Sequence, residues 1–217
     1  MKKTVILLAI IFSIASCGKE EIYSCDPEAD MWVKSNIADI TQMTRTDWID
    51  IGNLVQQRAA YVAFTPNQKQ ALWIGKLEEV LKLDWTEKER QFIQTILEMT
   101  KVKSFISRND RDTEDIDTEE LEIYKWTEYV KEELGWDKNL LYALIATPEV
   151  MNANKTVKSG ISNLRNPSSL KSRSESSNCE CSSSDDWCFG MCYWTSACIR
   201  VENCGWWWGS WCDGKCR

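Results

Sequence analysis

Eight of the chain's ten cysteines fall within the 39 residues from Cys179 to Arg217, and no other feature constrains the fold as tightly. About one residue in five there is Cys, the density of a secreted scaffold stapled by disulfides. A segment that short has too little interior to fold without covalent help. The spacing is C-x-C-x6-C-x3-C-x5-C-x5-C-x7-C-x3-C, with no C-x2-C pair, and the chain contains no His. Both facts argue against a zinc site, so no metal or other cofactor is expected. Cys179, Cys181, Cys188, Cys192, Cys198, Cys204, Cys212 and Cys216 are therefore expected to form four disulfides. Eight cysteines allow about 105 pairings, and the spacing selects none of them.

The same stretch carries Trp187, Trp194, Trp206, Trp207, Trp208 and Trp211. That is more aromatic surface than so small an interior can hide. Trp187 and Trp194 could pack over the disulfides as a miniature core. Trp206 to Trp208 are consecutive, and three consecutive side chains are not expected to share one face, so outward rings are expected there. Exposed Trp suits a membrane interface, a sugar face or a protein hot spot equally well. The six tryptophans are accordingly the candidate membrane or ligand contacts.

An eight-Cys tail with clustered Trp, behind a lipoprotein leader and helical text such as Leu72-Trp73 and Trp85-Thr86, resembles the bacteriocin fulvocin C-related proteins. The resemblance implies antibacterial activity, exerted on membranes. Neither a target nor an immunity partner can be named from it.

Residues 1–16 have the layout of a signal peptide: Lys2 and Lys3, an apolar run from Val5 to Phe12, and Ile14-Ala15-Ser16 before Cys17. The run is too short to span a bilayer. Ile14-Ala15-Ser16-Cys17 also looks like a lipobox, which makes Cys17 the lipidated first residue of the mature chain and the membrane its first partner. Several acyl chains hold a protein firmly where one would not. Residues 17–25 form a tether, and Lys19-Glu20-Glu21 resembles a surface-export signal, so an outer-membrane, outward-facing location is expected. Cys25 is the odd thiol.

The mature chain has 24 basic and 33 acidic residues, a formal charge of −9, which disfavours nucleic acid. The tail itself is −2, a weak match to anionic lipid unless the tryptophans carry the contact. Residues 26–151 read as an independent all-α domain of four to five helices. One long helix begins at Asp26-Pro27 and runs to about Val62, with a break possible near Thr41 to Asp47. A second is capped by Thr65, and a third runs from Glu87 to about Ser107. Arg108 to Thr118 reads as a charged loop. Helices resume over 119–134 and 138–146, with Asp117 and Asp137 as caps and Gly135 as the stop between them. At least four of Trp32, Trp48, Trp73, Trp85, Trp126 and Trp136 are expected in its core.

No phosphate loop, G-x-S-x-G or paired C-x2-C occurs, and runs such as Glu119-Glu120 read as solvated face, so no enzyme is expected. Residues 152–178 are rich in Ser, Asn and Lys and read as a flexible linker. Lys171 and Arg173 are its candidate processing positions. The architecture is thus an all-α domain plus a small disulfide-rich module at 179–217. The leading functional expectation is a lipid-anchored, bacteriocin-like protein whose tail acts on other bacteria's envelopes. The alternative is a surface module whose Trp cluster stacks on cell-wall glycan. A small protease inhibitor is a third reading, although no reactive loop is recognisable.

Overall fold

The structure, a computed structural model, describes residues 21–159, 181–183, 192–196 and 200–216. Cys17 with its leader, Lys171, Arg173, Cys179, Trp187, Cys188, Cys198 and the Cys216 side chain lie outside the described residues.

Six of the seven α-helices among the described residues start where a side chain satisfies open N–H groups of the first turn. The Asp26 carboxylate accepts from the Glu28 and Ala29 amides, both at 3.0 Å, and opens α1 (Pro27–Ile40) with Pro at the first position. Thr44 and Asp47 form a reciprocal capping box at α2 (Arg45–Asp50), and Asn53 caps α3 (Leu54–Ala63). Thr65 with Gln68 starts α4 (Pro66–Val80), and Thr86 with Glu89 starts α5 (Glu87–Val102). The long helix expected up to Val62 is therefore three helices. Its apolar period continues across the breaks, but the Thr44 box and the Gly52-Asn53 turn, with Gly52 at φ 68°, let the chain reverse. Reversal puts Trp48 inside: its indole N–H donates to the Gln57 carbonyl at 2.8 Å, and the Gln57 amide donates back to the Trp48 and Ile49 carbonyls.

The charged stretch expected as a loop, 108–118, is a 3-10 turn (Arg108–Asp110) followed by the start of α6 (Thr113–Leu134). Glu114 and Asp115 favour the positive end of the helix dipole, and Ile116 is the only apolar anchor of the first turns, so the amphipathic signal is faint. Asp112, not Asp117, occupies the cap position. Gly135, at φ 64°, ends α6 as expected, and Asp137 caps α7 (Lys138–Leu141). The described residues thus hold seven α-helices, more than the four to five expected, because one expected helix divides into three.

After α7 the chain widens into one π-type turn, Tyr142–Ala146. Such a turn leaves carbonyls without partners in their own helix. Lys76, fully buried on α4, answers this by donating to the carbonyls of Ala143 at 2.6 Å, Thr147 at 2.9 Å and Glu149 at 2.6 Å. The first part of the expected linker also packs. The Asn152 carboxamide accepts from the Asn154 and Thr156 amides, Met151 and Val157 are buried, and the Lys155 ammonium sits 3.9 Å from the Trp85 ring centre.

In the tail, β1 (Cys192–Trp194) pairs antiparallel with β4 (Gly214–Cys216), and β2 (Glu202–Cys204) pairs with β3 (Ser210–Trp211) across a bulge. Two disulfides lie among the described residues, Cys181–Cys192 and Cys204–Cys212. Gly214 faces the Cys192 sulfur and the Tyr193 carbonyl so closely that a Cβ there would collide with both. The two parts of the molecule share a core. Trp207 and Trp208 of the tail belong to the same buried cluster as Val33, Trp48, Tyr61, Trp73, Ile96 and Leu144.

Candidate functional site

Segment 202–212 is a loop closed at its neck by the Cys204–Cys212 disulfide, and its tip is the run Trp206-Trp207-Trp208. Gly205 turns the chain at φ 71°, ψ −159°, a conformation open essentially to glycine. Trp207 and Trp208 follow at φ 49° and φ 51°, both left-handed. Bulky residues rarely adopt that conformation, at a strain of about 1–3 kcal/mol each.

What offsets the strain is burial. Trp207 is 1% exposed and Trp208 4%, contrary to the outward-facing expectation for this run. The expectation assumed an extended chain with alternating faces, whereas a 3-10 turn with two left-handed residues sends consecutive rings to the same side. Two buried indoles remove roughly 300–500 Å² from water, a gross gain on the order of 8–12 kcal/mol, well above the backbone strain. Trp206, half-buried, packs at the edge of the same core.

The socket is built from four helices and the π-type turn. Trp208 meets Tyr61 edge-on at 5.1 Å and 86°, Trp48 at 6.0 Å and 67°, and Trp73 at 6.5 Å and 90°. Edge contacts of this kind bring the positive ring rim to a neighbour's negative face. Both indole N–H groups carried inward by the tip, and the Trp207 carbonyl between them, have partners. The Trp207 indole donates to the Thr100 hydroxyl at 2.9 Å, and the Trp208 indole donates to the Ala146 carbonyl at 2.9 Å. The Tyr61 hydroxyl donates to the Trp207 carbonyl at 2.7 Å and accepts from the Trp73 indole at 3.3 Å. Burial pushes the Tyr61 phenol far above its ordinary range, so it stays a donor.

Charged groups ring the rim. The Arg58 guanidinium lies 5.3 Å from the Trp208 ring centre and donates to the Asn203 carbonyl at 2.7 Å, to its side-chain oxygen at 3.0 Å, and to the Cys204 sulfur at 3.1 Å. Glu202 accepts from the Arg108 amide at 2.7 Å. Lys103 sits 5.2 Å from the Trp207 ring centre and pairs with Glu119, which also takes Arg111 at 2.8 Å. Burial lowers the Lys103 ammonium and Glu119 opposes that shift. Glu119 and Glu120, expected as plain solvated face, thus anchor Lys103, Arg111 and Arg108. An open cleft of about 420 Å³ adjoins, with Met99, Val102, Lys103, Ile106, Glu119 and Trp207 among its walls.

The other predicted contact residues are dispersed. Trp211 is half-buried, while Trp194 is 58% and Tyr193 46% exposed on β1, with Arg200 5.9 Å from the Trp194 ring centre. Cys25 is buried on the helical side. Of the helical tryptophans, Trp48, Trp73, Trp85, Trp126 and Trp136 are buried. Arg58, Tyr61, Thr100 and Ala146 were not singled out from sequence, and only one signal hinted at them. Buried indoles need acceptors, and Thr100 is a hydroxyl among the apolar positions of α5. The arrangement joins aromatic anchors to matched donors and acceptors, which is the chemistry of binding. Among the described residues no helix is long and apolar enough to cross a membrane. Comparison of the chain with protein-family models, with curated proteins and with solved structures returns no match.

Proposed function

We propose that this chain is an exported, lipid-anchored, bacteriocin-like protein that keeps its stapled Trp-rich module latent against its own helical domain. The observation that carries the reading is the burial of Trp207 and Trp208 among Trp48, Tyr61 and Trp73. A module built to act on other bacteria's envelopes needs those rings outside, and here they are withheld. Anchoring through Cys17 places the docked form at the producer's own outer membrane, where an exposed Trp-rich tail would harm its owner. The site's chemistry favours a binding role over catalysis. The test adds the oxidised mature protein, and an Arg58→Ala, Tyr61→Phe variant with a loosened socket, to dye-loaded liposomes and to lawns of competing bacteria. The intact protein should cause little leakage, and the loosened one at least several-fold more. Silence from both, in both assays, refutes the latent-effector reading.

One observation favours a second reading. Trp194 is exposed on β1, and its ring offers a face on which a sugar can stack. In that case insoluble cell-wall glycan retains the intact protein and does not retain Trp194→Ala.

A further inference from the structure

Neither disulfide among the described residues joins the tail to the helices; Cys181–Cys192 and Cys204–Cys212 both close within the tail. What unites the two parts at the loop has the anatomy of a protein–protein interface. Two adjacent aromatic anchors fill the centre, the polar groups carried inward are answered, and charged residues sit at the rim. Trp208 is walled by Trp48, Tyr61 and Trp73, Trp207 is held by Thr100, and Arg58 holds Asn203 and the disulfide neck. The loop is also shaped before it docks, because the Cys204–Cys212 bridge and Gly205 restrict it to few conformations. Preorganisation of that kind reduces the entropy lost on binding.

We infer that the helical domain is a receptor for a disulfide-closed loop presenting two consecutive tryptophans, and that it holds this loop whether or not the intervening chain is intact. The inference rests on the latent-module reading and gives it a partner. The neutralising surface lies in the same chain, cutting the linker is insufficient for release, and a vacated socket accepts the loop of a second copy. Simple proteolysis of the linker then leaves no bare fragment in the surrounding medium. The module stays with its lipid-anchored holder until something competes for the socket.

The experiment uses the full mature chain with a site-specific protease sequence placed between residues 165 and 175. After cutting under native, oxidising conditions, the tail should co-elute with the helical part in gel filtration and separate from it in non-reducing denaturant. Mixing cut protein with an isotopically labelled cut copy should bring labelled tails onto unlabelled helical fragments, read by native mass spectrometry. Trp208→Ala should speed tail dissociation by about 30-fold or more, as for a central hot spot. Arg58→Ala removes a half-buried rim contact without opening a cavity in the helical core, and should speed dissociation by roughly tenfold. Circular dichroism establishes that each variant keeps its helices. The inference fails if the cut tail elutes alone, if it stays attached in non-reducing denaturant, if no labelled tail crosses over, or if Arg58→Ala leaves dissociation unchanged. Growth inhibition is scored separately: inert protein with a retained, exchangeable tail refutes the antibacterial reading and leaves the receptor standing.

Discussion

Lys76 shares a helical face with Leu72, Trp73, Leu77 and Val80, and it is as deeply buried as they are. Its place on that stripe is legible from the three-and-four spacing alone. Its task is not, because the carbonyls it serves lie 67 to 73 positions away in the chain. Burial pushes the Lys76 ammonium down to about 7 from 10.5, Arg45 acts in the same direction, and Glu149 and Glu79 oppose it. Between those two values the unfolded chain holds a proton that the folded one has released. Stability from this group therefore rises with pH across the window, by up to about 1.4 kcal/mol per pH unit. Lys76→Met lacks that slope, so wild type should gain about 2 kcal/mol of stability relative to the variant from pH 7 to pH 9. Urea unfolding at both pH values measures it, and a constant gap would count against a deprotonating lysine. The tryptophans divide in the same way. Those on helical stripes were readable as core, while Trp207 and Trp208 were misread because their left-handed backbone has no signature in residue type.

Among the elements, caps were more legible than lengths. Thr65-Pro66, Thr86 with Glu89, Gly135 and Asp137 act as their residue types suggest. Of the two breaks that divide residues 27–63, the one between Ile40 and Arg45 falls where the sequence allows it, and the one at Gly52-Asn53 was obscured because the apolar period runs through it. The tail as a whole was legible as a stapled unit, but neither the Cys204–Cys212 pairing that closes segment 202–212 nor the partner of that loop was. Cys204 and Cys212 are separated by 8 positions, and closing so short a loop stabilises the folded chain by about 2–3 kcal/mol in the chain-entropy account. Replacing both by Ser should lower stability by that amount and loosen the hold on Trp208, since Arg58 loses the sulfur contact. Denaturant midpoints and a red-shifted tryptophan emission report the two effects. An unchanged midpoint would mean that the helical socket alone shapes the loop.

At the scale of the whole molecule, composition pointed to two folding units, a helical domain and a separate module. In the folded chain the module's two central rings, Trp207 and Trp208, lie within the helical core. Nothing in a linear sequence announces such a union, because the shared surface is assembled from α2, α3, α4, α5 and the Tyr142–Ala146 turn, each contributing one or two residues. If the units are joined energetically, oxidised protein should unfold in one transition, with far-ultraviolet dichroism and tryptophan fluorescence coincident. Two separated transitions would return the tail to independence. The hydrogen bond from Tyr61 to Trp207 spans 146 positions, and this separation sets an order of events during synthesis. The walls of the socket leave the ribosome long before the rings that fill it. Until residues 204–212 arrive and oxidise, the nascent core presents Trp48, Tyr61 and Trp73 to chaperones and to other unfinished copies. Long-range closure of this kind is slow, and its intermediates aggregate. Arrival and oxidation of the 204–212 loop, rather than helix formation, then become the steps that decide how much of this protein matures.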